Sequence, residues 1–244
     1  MLYNDISNWL KNYLEGSGLE CFVVGISGGI DSALTSTLAA RTGKITIVVS
    51  IPIHQQQEQL IRANNHVHWL KSKFKNVQSI EIDLTQTFEQ FKSLFNKEDN
   101  LALANSRSRL RMVTLYQIAT MNRGLVVGTG NKVEDFGVGF YTKYGDGGVD
   151  ISPIADLMKS EVREVAAQLG INQEIIDAPP TDGLWEDNRT DEDQIGASYE
   201  ELEWAMNCDQ QSELTERQKQ VLNIYKKYNE QNKHKMNPIP VFLK

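Results

Sequence analysis

The chain has 244 residues, two cysteines and a formal net charge of −7. That length suits one α/β domain with its own core and leaves no room for a second catalytic domain. The negative charge shows no basic stripe, Cys21 and Cys208 have no metal or disulfide spacing, and no apolar run approaches a membrane span, so a cytoplasmic protein that contacts neither nucleic acid nor membrane is expected.

The first β-type run, Cys21 to Ile26, leads directly into Gly25-Ile26-Ser27-Gly28-Gly29-Ile30-Asp31-Ser32 and then a helix. This order makes a phosphate cradle. The glycines let the backbone approach an anion, the N–H groups that open the helix point at phosphate oxygens, Ser27 and Ser32 add hydroxyls, and Asp31 can hold a magnesium ion. The loop lacks the lysine of G-x-x-x-x-G-K-[ST]. A plain strand-to-helix turn would account for the glycines but not for Ser27, Asp31 and Ser32 together.

Further β-type runs follow at Ile45 to Ile51, Val77 to Leu84 and Leu125 to Thr129, separated by segments of helical length. The alternation predicts a doubly wound parallel sheet with helices on both faces, and the loops after the first and fourth strands should share one site at the carboxyl edge. Ser106 to Met121 reads as an amphipathic helix. Phe136 to Asp150, rich in glycine, reads as an active-site lid. Ser160 to Leu169 reads as a helix capped by Ser160 and stopped by Gly170, Pro179 to Asp193 as a loop, and Glu213 to Asn232 as a charged helix with a solvated face.

S-G-G-I-D-S, Arg107-Ser108-Arg109-Leu110-Arg111-Met112, Gly128 to Glu134, Thr142 to Asp150 and Pro180-Thr181 together resemble the NAD synthetase family, in order and over nearly the whole chain. The loop alone is shared by other ATP pyrophosphatases, whereas K-Y-G-D-G-G is far more specific. The resemblance implies an adenine nucleotide alpha hydrolase-like fold in a single domain over residues 1–244. It implies a ligase that uses ATP to turn the nicotinate carboxylate of deamido-NAD into an acyl-adenylate and aminates it with ammonia, giving NAD, AMP and pyrophosphate. It also implies a homodimer whose deamido-NAD site lies at the subunit interface. Because only about twenty residues precede the first strand, no N-terminal glutaminase domain is expected and free ammonia is the expected donor.

Carried over position by position, the resemblance places ATP on Gly25, Ile26, Ser27, Gly28, Gly29, Ile30, Asp31, Ser32, Thr129, Lys159 and Thr181. It places Mg2+ on Asp31 and Glu134, and deamido-NAD on Arg109, Lys143, Asp150, His234 and Lys235. Gln56 is a candidate adenine contact. Asp150 and Lys159 are the catalytic candidates, with Asp150 expected to orient the incoming nitrogen or take its proton. Two departures stand out. Pro180-Thr181-Asp182-Gly183-Leu184 replaces the family's Pro-Thr-Ala-Asp-Leu, and one additional residue lies between Glu134 and Gly139. Other ATP pyrophosphatases, such as the amidating module of GMP synthetase or a tRNA sulfur-transfer enzyme, would leave the lid motif unexplained. A non-catalytic adenine-nucleotide sensor would have no need of two metal ligands and Lys159.

Overall fold

A computed structural model of the protein describes residues 1–97, 99–181, 183, 189–209 and 213–243. Four parallel strands form one sheet: β1 (Cys21–Gly25), β2 (Ile45–Ser50), β3 (Val77–Glu81) and β4 (Gly124–Val126), in the order β3-β2-β1-β4. The chain winds outward from β1 to β3 and then returns to the other side of β1. The reversal of strand order between β1 and β4 opens a crevice beyond their carboxyl ends.

Strand alternation builds the two faces. Phe22 and Val24 pack with Leu10 and Leu14 of α1 (Leu2–Ser17), Leu34 and Leu38 of α2 (Ile30–Arg41), and Val162 and Val165 of α6 (Lys159–Gln168). Cys21 and Val23 face the other way, onto Ile47, Val49, Val126 and Ile118 of α5 (Asn100–Met121). A strand buried on both faces is apolar throughout, as the run Cys21 to Val24 is. Helix α3 (Gln57–Lys73) covers Val48 with Ala63 and Leu70, and α4 (Thr85–Lys92) leads to α5.

β4 is shorter than the run Leu125 to Thr129. Val127 still donates to the Val23 carbonyl at 2.9 Å, but it also bridges to Ile151, and the Gly128 N–H donates to the Ile151 carbonyl at 2.7 Å. The chain therefore leaves the sheet early, toward the segment that contains Asp150.

After β4 comes a π-helix, Val133–Val138, followed by α6, α7 (Gln173–Ile176), α8 (Asp191–Ile195), α9 (Tyr199–Asn207) and α10 (Glu216–Met236). Val133 and Val138, both fully buried, form a satellite core with Leu202 of α9 and Val221 and Leu222 of α10. The expected lid is thus packed at its start, where Val138 and Phe140 join this core. Gly139 has φ +65, and a Cβ there would collide with Asn232 of α10. The wider i→i+5 turn of a π-helix takes up an extra residue, and it spans the stretch from Glu134 to Gly139 where one was expected.

Candidate active site

The crevice is a cavity of about 750 Å³ that reaches from the β1 loop to the C-terminal half of α10. All eight residues from Gly25 to Ser32 line it, as do Thr129, Glu134, Lys159, Thr181 and Lys235. The loop is held open by its own hydrogen bonds. Ser32 Oγ accepts the Ser27 N–H at 3.2 Å and donates to the Gly29 carbonyl at 2.9 Å, while Ser27 Oγ accepts the Gly29 N–H at 3.2 Å. Gly28 has φ +85, and a Cβ there would lie 2.5 Å from the Gln59 carbonyl oxygen. No side chain caps α2, so the orphan N–H groups of its first turn are open to the cavity.

Beside the loop, Lys159 joins the two metal-ligand candidates. Its Nζ lies 2.6 Å from Asp31 Oδ2 and 3.0 Å from Glu134 Oε1, and its side chain is 3% exposed. Asn131, fully buried, donates to Asp31 Oδ1 at 3.1 Å and accepts the Glu134 N–H at 3.1 Å. The Tyr199 hydroxyl donates to Glu134 Oε1 at 2.6 Å. Burial and the Glu134 charge raise the Asp31 carboxyl above its ordinary value despite Lys159. For Glu134, burial acts upward, but Lys159 and the Tyr199 hydroxyl outweigh it and hold the carboxyl low. Burial opposes the Lys159 ammonium, and the two carboxylates overcome it and raise its pKa.

Two carboxylates converging on one ammonium leave an excess negative charge at a point already occupied by a cation. That donor set fits a magnesium ion, which needs few protein carboxylates when substrate phosphates complete its shell. Asp31 and Glu134 would hold the ion, and it would supply charge neutralisation to the phosphates. Among the described residues no cluster of three or more His, Cys, Asp or Glu exists to hold a metal unaided.

Asp135 was missed in the sequence. It lines the cavity, its carboxyl is pushed up to about 8 by burial and then by the charges of Glu134, Asp146 and Asp31, and a Cβ at Gly130 would collide with its carboxylate oxygens. The adjacent acids Glu134-Asp135 were the visible signal, but a single metal-ligand motif absorbed only the first.

Several residues expected to contact the acceptor lie outside this cavity. Asp150 is exposed and away from the cavity wall: Oδ1 accepts from the Tyr116 hydroxyl at 3.0 Å and Oδ2 accepts the Val126 N–H at 2.8 Å, so the carboxylate ties α5 to β4. Arg109, also exposed, donates to the Lys143 carbonyl at 3.3 Å, and Lys143 Nζ donates to the His234 carbonyl at 2.6 Å. These three residues form a chain outside the cavity, and the His234 ring is exposed.

Lys235 does reach the cavity, where its Nζ donates to the carbonyls of Gly139 and Tyr141, both at 2.8 Å. The cavity arginine of α5 is Arg111, which donates to the Ile51 carbonyl at 3.0 Å and to Gln55 Oε1 at 2.8 Å. Gln55 and Gln59 line the wall where Gln56 was expected. Asp182 lies outside the described residues.

A parallel sheet with a glycine-rich anion cradle at its switch point and a carboxylate–lysine–carboxylate cluster beside it defines an ATP-binding protein of the adenine nucleotide alpha hydrolase-like fold. The family model described as NAD synthase matches residues 2–239, and the chain belongs to that family. The NH3-dependent NAD+ synthetase of Mesoplasma florum is 37% identical over 200 residues, covering 80% of this chain and 79% of the relative. That of Methanococcoides burtonii is 39% identical over 204 residues, covering 81% and 75%. Among solved structures, an NMN synthetase from Francisella tularensis superposes with a TM-score of 0.89 at 30% identity, covering 98% of this chain and 96% of that one. An NH3-dependent NAD synthetase from Campylobacter jejuni gives 0.81 at 25%, covering 100% and 98%.

Proposed function

We propose that the protein amidates the nicotinate carboxylate of deamido-NAD with ammonia at the expense of ATP, as its NH3-dependent relatives are named for doing. Membership of the family together with an intact phosphate cradle and the Asp31–Lys159–Glu134 cluster carries this reading. The α2 N-terminus and the Gly25–Ser32 loop hold phosphate oxygens, and Lys159 orients the two carboxylates. A carboxylate oxygen of the acceptor forms a bond to the α-phosphorus while the bond to the bridging oxygen breaks and pyrophosphate departs. The nitrogen of ammonia then bonds to the acyl carbon, the C–O bond to AMP breaks and the nitrogen loses a proton. A site shielded by α10 keeps water from hydrolysing the acyl-adenylate first.

Acceptor length has two readings. The name of the Francisella structure, an NMN synthetase, supports a nicotinate mononucleotide. The identity of the relatives supports the dinucleotide. Purified protein given MgATP and ammonium with either acceptor decides between them by kcat/KM. Amidated product and AMP should form one for one, and absence of AMP with both acceptors would refute the ligase reading.

Pairing of two copies is part of the same proposal. Val113 and Met121 of α5, with Leu94 and Phe95 just before it, are exposed apolar side chains that a second copy would cover. Sedimentation of the protein as a monomer at assay concentrations would refute it.

A further inference from the structure

The cation nearest the phosphate loop is already neutralised. Lys159 Nζ sits between Asp31 and Glu134 and is almost fully buried, so it has little charge left for a polyanion. Asp191 adds a carboxylate to the same wall. Besides the magnesium ion that Asp31 and Glu134 would hold, a triphosphate entering this cavity calls for positive side chains, and the lining supplies them beside the α2 N-terminus.

The wall by Ile51, Gln55 and Arg111 lies beyond β2, and the wall by Tyr141 and Lys235 is closed by α10. Between them is the N-terminus of α2, flanked by α3 on one side and α6 on the other, both of which pack on α2. Each flanking helix presents one arginine to the cavity: Arg62 from α3 and Arg163 from α6. Both are half-buried.

Arg62 Nε donates to the Gly28 carbonyl at 3.3 Å, which covers that loop oxygen and tethers the guanidinium beside the loop. Arg163 follows Lys159 by one helical turn, on the same face. Among the described residues neither guanidinium forms an ion pair. An arginine at a cavity wall without a carboxylate partner keeps its charge and its fork of donors available to an incoming anion.

We propose that Arg62 and Arg163 form a two-sided clamp on the β- and γ-phosphates of ATP and on the departing pyrophosphate, with the α2 N-terminus between them. The clamp rests on the reading that this protein splits ATP between the α- and β-phosphates. Guanidinium groups grip phosphate oxygens bidentately, and charge that builds on the leaving group strengthens the grip as the α–β bond breaks.

The test uses the full-length enzyme and two product inhibitors, inorganic pyrophosphate with magnesium and AMP. Arg62→Ala and Arg163→Ala should each weaken inhibition by pyrophosphate about tenfold, or about 1.4 kcal/mol, and raise KM for ATP to a similar extent. AMP inhibition and KM for the acceptor should not move, because neither ligand carries the β- or γ-phosphate. If an alanine variant melts well below wild type, Arg62→Lys or Arg163→Lys replaces it, keeping the aliphatic stem and losing the fork, and should still weaken pyrophosphate more than AMP. Unchanged pyrophosphate inhibition, equal weakening of AMP and pyrophosphate, or a response from only one arginine overturns the clamp. Wild-type protein that makes no AMP and pyrophosphate sinks the parent reading, whereas active wild type with insensitive variants sinks the clamp alone.

Discussion

Replacing Lys159 by methionine removes the ammonium and leaves Asp31 and Glu134 facing one another in a buried site. At 2.6 Å and 3.0 Å from the two carboxylates, the lysine is attracted to each by roughly 6 kcal/mol at an effective dielectric near 20, most of it offset by the cost of burying the charges. Breaking such a cluster by deleting one partner typically costs about 3–5 kcal/mol, which in a chain of this size lowers the melting temperature on the order of 10 °C. The sign of the pH dependence sharpens the test. In the variant burial and the repulsion between the two carboxylates act upward with no lysine to oppose them, so the folded state binds protons more readily than the unfolded one. The deficit relative to wild type should therefore be full near pH 8 and shrink as pH falls through the carboxylate range. Paired thermal melts at pH 5 and pH 8 measure it. A loss below about 1 kcal/mol, or one equal at both pH values, would refute the picture of a buried and mutually dependent triad.

Gly28→Ala should abolish ATP binding and destabilise the fold by about 1–2 kcal/mol or more, because an L-residue is strained at φ +85 and its Cβ would lie 2.5 Å from the Gln59 carbonyl; an unchanged KM for ATP would contradict the loop geometry. His66 is fully buried beside Ser36, and burial lowers its pKa from 6.5 to about 4. Between those values the unfolded chain takes up a proton that the folded chain refuses, so stability falls as pH drops below 6.5, by about 3 kcal/mol once pH is below 4. Urea unfolding of wild type against His66→Leu over that range should show the loss in wild type only. Asp150→Ala strands the buried Val126 N–H and should cost about 1–3 kcal/mol in urea melts while leaving KM for ATP unchanged; lost turnover at full stability would instead mark Asp150 as acting in the reaction.

The phosphate loop and the first strand were legible because sequence-local physics fixes them: a two-faced apolar run, then glycines, then a helix that opens without a side-chain cap. Asp31 could be read from the loop itself, but Lys159 and Glu134 were singled out only through family resemblance, since their meeting depends on crossings of 128 and 25 residues along the chain. Helix ends were less readable. Ser160 looks like a cap, but its N–H and hydroxyl both bind the Glu203 carboxylate, and the helix starts at Lys159, which puts that lysine in the first turn. α5 begins at Asn100, capped by Asp99, because Leu101 to Ala104 lacks the spacing that marked Ser106 onward. His234 and Lys235 were expected in a tail; they lie in the last turn of α10, where the helix turns the lysine inward and the histidine outward. Arg109 and Arg111 show the same limit, for two residues along a helix face nearly opposite ways, and composition does not say which one meets the cavity.

The cavity has one wall at residues 25–32 and another at residues 228–235, with Lys235 holding the carbonyls of Gly139 and Tyr141 in place. During synthesis the phosphate cradle emerges first and waits for almost the entire remaining chain. A ribosome that stalls before α10 has cleared its exit tunnel displays a glycine loop and a half-made sheet but no enclosed chamber, so a nascent chain cannot start the adenylation and release a reactive intermediate to water.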